Sequence, residues 1–126
     1  DNEADGDMTR KLCLDFDGVL HSGECVHVDI IDGPPVEGAL EFLREACRHF
    51  DVSIFSGRSR EPAGRAAMQE WIENLAQDGT CRDIEYPSVK PMTHVMLDDR
   101  CLLFEGVYPS IDDLYAFEPW HKQEAR

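Results

Sequence analysis

The chain has 126 residues, a formal net charge of −14 and five cysteines, and it contains no apolar run long enough to cross a membrane. This length suits a single domain with its own core, and nothing in the composition predicts a membrane or secreted protein. Strong negative charge disfavours nonspecific binding to nucleic acid, because phosphate backbones are repelled. The cysteines form no CxxC pair and are odd in number, which favours free thiols and a cytoplasmic location over a disulfide framework.

The first predicted element follows an acidic leader. Residues 1–7 contain four acids and are predicted to be a disordered lead-in, so residues 8–126 form the expected domain. The run KLCLDFD, residues 11–17, is mostly apolar and ends in acids, which predicts a buried parallel strand. CVHVDII, residues 25–31, alternates only briefly, so residues 21–33 are expected to form a small hairpin or a flap.

Two helices and a second strand are predicted in the middle of the chain. From Val36, apolar residues recur at helical spacing, and the expected inward face is formed by Ala39, Leu40, Leu43, Ala46, Cys47 and Phe50. VSIFSGRS, residues 52–59, predicts a strand that stops at a polar turn. Pro62 suits a first helical turn, and the helix that follows is expected to end near Gly79, with a buried stripe of Met68, Trp71, Ile72 and Leu75.

The last third of the chain predicts shorter elements. A brief strand is expected around Ile84, and HVMLDD, residues 94–99, repeats the opening pattern of an apolar strand that ends in acids. CLLFEG, residues 101–106, is a candidate last strand, and Ser110 with Asp113 forms a capping box for a short closing helix. Because strands alternate with helices, the fold class is α/β with a mainly parallel sheet.

Functional side chains follow the predicted strands where each strand ends. Asp15 and Asp17 follow the first strand, Ser56 ends the second, and Asp98 and Asp99 close the strand at 94–99. Because ligands bind beyond the carboxyl ends of parallel strands, we expect these groups to share one crevice. Four carboxylates in one crevice require a cation, and hard oxygen ligands suit Mg²⁺, which shares its remaining positions with water and phosphate.

This pattern predicts phosphoryl transfer. Asp15 beside a cation is the candidate nucleophile, which would form an aspartyl-phosphate. Asp17 is the candidate general acid for the leaving oxygen, and then the base that accepts a proton from water. Lys90 would add positive charge. Hydrogen-bond donors for the phosphoryl oxygens are expected from one turn, at the hydroxyl of Ser56 and the amides of Ser56, Gly57 and Arg58.

The motifs occur in a familiar order: DxDGV at 15–19, SGR at 56–58, a lysine at 90, and DD at 98–99. This order resembles the four motifs of the haloacid dehalogenase (HAD) superfamily of phosphotransferases, over residues 11 to about 105. The resemblance implies a three-layer Rossmann-like fold. It also implies that Asp15 is the nucleophile and that Asp17 is an acid/base whose backbone carbonyl reaches Mg²⁺.

The same resemblance assigns the remaining motif residues. Ser56 would supply the phosphate-binding hydroxyl, and Lys90 would steady the nucleophile and the phosphate. Asp98 and Asp99 would be the metal-binding acids, with Asp99 the favoured direct ligand and Asp98 its support. Both places where the superfamily inserts a cap domain are too short for one here. An open site suits a bulky substrate, a mobile flap at 21–33, or cover from a second copy of the chain.

The sequence therefore predicts a capless, HAD-like, Mg²⁺-dependent phosphomonoester hydrolase whose phosphorylated substrate is of unknown type. LDDR together with SGR also resembles the phosphatase domain of phage polynucleotide kinases, for which Arg58 and Arg100 would matter. A polynucleotide 3′-phosphatase is thus an alternative, although the acidic charge disfavours duplex binding. A noncatalytic phosphate- or Mg²⁺-binding module and a transferase that uses another acceptor are further alternatives, and a homo-oligomer is compatible with each.

Overall fold

A computed structural model describes residues 10–123, so the lead-in predicted at 1–7 lies outside the described residues. The fold is mixed α/β, with a small open sheet of three parallel strands in the order β2-β1-β3. The strands are β1 (Arg10–Leu14), β2 (Phe50–Ile54) and β3 (Val95–Leu97), and the helices are α1 (Ala39–His49), α2 (Pro62–Leu75) and α3 (Ile111–Ala116). The layout is compatible with a Rossmann-like arrangement.

The central strand, β1, is the best-buried part of the sheet. Leu12, Cys13 and Leu14 are all buried, so both faces of β1 are covered. Leu12 pairs with Val52 on one side and Val95 on the other. From β1 the chain runs to β2 on one side of the sheet. It then crosses back over β1 to form β3 on the other side, so the strand order reverses at β1. In open α/β sheets this reversal creates a crevice at the carboxyl ends of the strands.

The two long helices supply the rest of the core. On α1, the residues Ala39, Leu43 and Ala46 are buried at the spacing expected for one helical face. On α2, Met68 and Ile72 are fully buried, and Pro62 occupies the first turn as predicted. The helix ends at Leu75, four residues before the expected Gly79.

Two predicted strands differ from the structure. CLLFEG, residues 101–106, is exposed and contains no strand. Only three residues separate it from β3, which is too short for a parallel crossover, and Asp98 Oδ1 already accepts the Arg100 amide in a turn (2.8 Å). Near Ile84 the strand is reduced to one bridge, in which Glu85 exchanges backbone hydrogen bonds with Val52 and Ile54.

The region predicted as a hairpin or a flap has no strand between residues 22 and 33. It is a series of turns between β1 and α1. Further along, Ser110 caps α3 by accepting the Asp113 amide (3.0 Å), which is the serine half of the capping box expected there. After α3, a short 3₁₀ helix, Trp120–Lys122, completes the described chain. None of the helices in the described part is long and apolar enough to cross a membrane.

Candidate metal centre and surrounding cavity

Three carboxylates meet at the carboxyl ends of β1 and β3. Carboxylate oxygens of Asp15, Asp98 and Asp99 all lie within 4.8 Å of one another. The Asp15 amide donates to Leu97 O (2.9 Å), so the pairing of β1 with β3 continues to the first of these acids. Three like charges at this distance repel one another strongly in a partly buried site. A cation would remove that repulsion.

Asp99 is the carboxylate with the clearest need for a ligand. Its side chain is only 3% exposed, and its Oδ1 atom is buried and has no hydrogen-bond partner among residues 10–123. An unpaired buried carboxylate oxygen is costly, so such an atom calls for a cation or another donor. Three carboxylates with one free buried oxygen fit a hard divalent cation that prefers oxygen ligands. This donor set suits Mg²⁺ without selecting it over similar cations.

Gly18 makes room for Asp99. Its φ angle is +86°, which favours glycine, and a Cβ atom there would lie 2.2 Å from Asp99 Oδ2. The glycine in DxDG is therefore required twice, once for its backbone conformation and once for the close approach of the carboxylate. The first loop and the end of β3 thus fit together through this residue.

The pKa of Asp15 is raised to about 8, mainly because the carboxyl group is buried. A hydrogen bond with Asp99 raises the pKa of Asp15 further, whereas the hydrogen bond from the Phe16 amide lowers it. The negative charges of Asp98 and Asp99 also raise this pKa. In the absence of a cation the cluster therefore holds a proton on Asp15. A bound cation would replace that proton, as metal ligands generally require.

Asp17 lies outside the group of three carboxylates but lines the same cavity, and a buried network holds its side chain. Arg58 Nε donates to Asp17 Oδ2 at 2.9 Å, and Arg58 Nη2 donates to Oδ1 at 3.0 Å. His21 Nδ1 lies 2.9 Å from the same Oδ1 atom. Since His21 Nε2 accepts the Gly33 amide (2.9 Å), Nδ1 carries the proton and donates to Asp17. The Asp17 carboxylate is thus not a member of the metal cluster, and its predicted backbone ligand role stays a prediction.

Arg58 is buried and is not one of the residues that line the cavity. The side chain is fully buried, and its Nη1 atom donates to the backbone carbonyls of His27, Val28 and Ile30 at 2.9 to 3.0 Å. All three guanidinium nitrogens therefore have partners within the chain, in Asp17 and in the flap. The phosphate-binding role predicted for Arg58 stays a prediction. The hydrogen bonds of its side chain favour a different role, in which Arg58 positions Asp17 and the flap.

The SGR turn faces the metal cluster from the end of β2. Ser56 Oγ accepts the Arg58 amide (3.0 Å), and the Ser56 amide donates to Ser59 Oγ (2.9 Å), so these groups form a capping box. The Gly57 amide takes part in neither bond. Ser56 and Gly57 both line the cavity that contains Asp15. The predicted proximity of this turn to the acids is therefore present.

Lys90 is exposed and does not line this cavity. Burial raises the pKa of Cys13 and Cys101, and the positive charge of Lys90 acts in the opposite direction on both thiols, so Lys90 lies within electrostatic reach of β1 and of the segment after β3. Within residues 10–123 it forms no ion pair with Asp15, Asp98 or Asp99. Its predicted contact with nucleophile and phosphate remains a prediction.

The cavity has a volume of about 290 Å³ and is open to solvent. The residues that line it are Asp15, Asp17, Gly18, Gly23, Glu24, Cys25, Ser56, Gly57, Asp99, Arg100 and His121. Two basic residues, Arg100 and His121, thus line the same cavity as the acids. The sequence offered little indication of His121, because it is separated from the motifs by an irregular segment and reaches the cavity only through tertiary contacts.

Comparison with known proteins gave no match: no protein-family model, no curated protein and no solved structure is significantly similar to this chain.

Proposed function

We propose that this chain is a Mg²⁺-dependent phosphomonoester hydrolase of the HAD-like, capless type, which acts through an aspartyl-phosphate on Asp15. The observation that carries the proposal is the meeting of Asp15, Asp98 and Asp99 at the reversal of strand order, with Ser56 and Gly57 lining the same cavity as Asp15 and Asp99. The residue order that resembles the HAD motifs supports the same reaction. The cysteine pattern supports a cytoplasmic location.

The proposed first step transfers the phosphoryl group to Asp15. A carboxylate oxygen of Asp15 attacks phosphorus, and the bond between phosphorus and the ester oxygen breaks. The leaving oxygen takes a proton from Asp17. Within Asp17, Oδ1 faces three donors and Oδ2 receives one, from Arg58 Nε, so Oδ2 is the oxygen best placed to exchange a proton.

The proposed second step regenerates the enzyme. Asp17 accepts a proton from water while the water oxygen attacks phosphorus, and the bond between phosphorus and Asp15 breaks to release inorganic phosphate. A divalent cation, when bound, would neutralise the negative charge shared by the carboxylates and the phosphoryl group. The chain's own part is to hold Asp98 and Asp99 beside Asp15, and to present the Ser56 turn to the phosphoryl oxygens.

A polynucleotide 3′-phosphatase is the second candidate. Arg100, which directly follows the acid pair, lines the cavity and is exposed, so it is available to a phosphate or sugar next to the reacting group. The open cavity would accept the end of a single strand. The net charge of −14 favours a small contact with a strand end over binding along a duplex.

Phosphate release from a panel of phosphomonoesters tests the proposal. The panel includes sugar phosphates, a nucleotide and an oligonucleotide with a 3′-phosphate, each with and without Mg²⁺. We expect release that needs Mg²⁺ and falls at least ~10³-fold in Asp15→Asn, because a carboxamide is a poor nucleophile. Asp51→Asn, an exposed acid on β2, is the matched control and should keep the parent rate.

The panel also separates the candidates. Preference for the oligonucleotide would favour the 3′-phosphatase, whereas preference for a small ester would favour a general phosphomonoesterase. If Asp15→Asn releases phosphate as fast as the parent, Asp15 is not the nucleophile. If the parent binds Mg²⁺ and releases no phosphate from any substrate, the noncatalytic binding module is the better description.

A further inference from the structure

The 3₁₀ helix Trp120–Lys122, here called the C-terminal clasp, contacts three separate parts of the candidate site. Trp120 Nε1 donates to Gly18 O (2.8 Å). His121 Nε2 lies 3.5 Å from Asp99 Oδ2, and Lys122 Nζ lies 3.2 Å from Glu24 Oε2. Three consecutive residues thus reach the first loop, the end of β3 and the flap. The clasp follows every motif in the sequence, and it contacts two of them, DxDGV through Gly18 and DD through Asp99.

The bond from Trp120 is the main attachment of the clasp. Trp120 is 54% exposed, so burial of its ring explains only part of what holds the clasp in place. Its indole N–H has a specific acceptor, as half-buried tryptophans usually do. The Gly18 amide donates to His21 O (2.7 Å), so Trp120 fixes the second polar group of this glycine. Both the N–H and the C=O group of Gly18 are therefore hydrogen-bonded.

Gly18 and His121 enclose the Asp99 carboxylate. The space where a Gly18 Cβ would lie is filled by Asp99 Oδ2, and His121 approaches the same oxygen atom. The rings of Trp120 and His121 are perpendicular, with centroids 5.6 Å apart, so the two side chains support each other. As a result, Asp99 Oδ2 has neighbours on two sides, while Oδ1 is buried with no hydrogen-bond partner in the described part of the chain.

We propose that the C-terminal clasp is a positioning device for the metal centre. By holding Gly18 and covering Asp99 Oδ2, Trp120 and His121 restrict the carboxylate to the orientation in which Oδ1 is left for a cation. Preorganised ligands bind more tightly because less ordering is lost on binding. Divalent-cation affinity should therefore depend on Trp120, which is not itself a ligand. This inference rests on the metal centre of the proposed function, and it does not require hydrolysis.

Mn²⁺ binding followed by electron paramagnetic resonance tests the inference, with Mn²⁺ as a substitute for Mg²⁺. Trp120→Phe keeps an aromatic ring and removes only the indole donor. We expect it to weaken Mn²⁺ binding about three- to tenfold, the size of one hydrogen bond that acts through a neighbour. Trp71→Phe is the matched control, because the ring contacts of Trp71 are with Phe16 and His21, neither of which belongs to the clasp or to the three carboxylates, and it should leave the affinity within about twofold. Equal affinity in Trp120→Phe and the parent would overturn the inference.

Tryptophan fluorescence gives a second measurement that does not depend on the stability of Trp120→Phe. In the Trp71→Phe protein, Trp120 is the only tryptophan of the chain. Mg²⁺ titration should change its emission, and Asp99→Asn in the same background should remove that change. If the emission does not change at Mg²⁺ concentrations that occupy the site, the inference is overturned.

The same binding experiments distinguish failure of the proposed hydrolase function from failure of the clasp inference. If the parent binds Mn²⁺ but hydrolyses nothing, the hydrolase proposal fails, and the Trp120→Phe comparison still decides whether the clasp positions the site. If the parent binds neither cation, the clasp inference is overturned together with the metal centre.

Discussion

The guanidinium group of Arg58 lies along the carboxylate of Asp17, with Nε 2.9 Å from Oδ2 and Nη2 3.0 Å from Oδ1. This side-by-side pair joins the turn after β2 to the loop after β1. Because Nη1 of the same arginine holds three carbonyls of the flap, one side chain fixes the position of Asp17 and of residues 27–30 together. A fully buried guanidinium with such partners is strongly hydrogen-bonded, and it can be lost only at a large cost.

Arg58→Lys should therefore destabilise the fold. Lysine cannot reproduce the planar set of donors, so the flap carbonyls and part of Asp17 would lose their partners. We expect the free energy of unfolding to fall by about 3–5 kcal/mol, as for other broken buried ion pairs. Urea denaturation measures this change. The matched control is Arg48→Lys, whose pair with Glu45 is exposed and should contribute less than about 1 kcal/mol.

The same variant tests the alternative role of Arg58. If Arg58→Lys is as stable as the parent and instead weakens inhibition by inorganic phosphate, the arginine binds phosphate directly. The buried geometry in the structure would then describe only one state of the side chain.

Much of the sheet and of the acid cluster could be predicted because the signals are local. Apolar runs that end in acids define β1 and β3, and parallel pairing then brings Asp15 and Asp99 to one edge without further information. The helical faces of α1 and α2 are similarly local, because they depend on spacing within a single element. These parts of the fold follow from short stretches of sequence.

The rest depends on contacts between distant residues. Nothing local distinguishes a buried Arg58 from a phosphate-binding one, because its partners lie 28 to 41 residues away. The same holds for Trp120, 102 residues from Gly18. His21 is fully buried in a space that Gly23 and Gly33 leave open for its ring, and neither glycine indicates this in the sequence alone. CLLFEG has strand-like composition, but no strand within residues 10–123 pairs with it, and composition alone cannot supply one.

Gly18→Ala should lower the free energy of unfolding more than Gly38→Ala, a glycine replacement at nearly the same φ angle. Gly38 has a φ of +87° and open space around it, so Gly38→Ala measures the backbone cost alone, about 1–2 kcal/mol. Gly18→Ala has the same backbone cost, and its methyl group would also displace the Asp99 carboxylate. We expect it to lose both stability and the rise in melting temperature that Mg²⁺ gives, whereas Gly38→Ala should retain that rise. Thermal unfolding with and without Mg²⁺ measures both effects. Equal behaviour of the two variants would mean that contact between Gly18 and Asp99 is unimportant.

The stability of the cation-free protein should fall as the pH rises from about 4 to about 8. Asp15 has a pKa of about 8 in the folded chain and an ordinary value of 3.8, so the folded state holds an extra proton between these pH values. Stability falls with pH wherever the folded state binds more protons than the unfolded state. Mg²⁺ should oppose the fall, because it replaces the proton, and its affinity should rise over the same range.

Denaturation at several pH values, for the parent and for Asp15→Asn, isolates this contribution. The difference between the two proteins should depend on pH in the absence of Mg²⁺, and histidine titration should largely cancel because both proteins contain it. A difference that stays constant from pH 4 to pH 8 would show that Asp15 is already ionised throughout.

Asp99→Asn should have opposite effects with and without a cation. Without a cation, the substitution removes one of three mutually repelling carboxylates, and its amide can donate a hydrogen bond to Asp15. The variant should therefore be at least as stable as the parent, and more stable at pH 8, where the parent cluster carries the most charge. With Mg²⁺ present, the variant should lose most of the stabilisation that the parent gains, because Oδ1 of Asp99 is the buried oxygen left for the ion. Melting temperatures of both proteins over a Mg²⁺ series at pH 8 measure this reversal. A variant that is less stable without Mg²⁺ and gains as much from it as the parent would show that Asp99 is a structural acid and not a ligand.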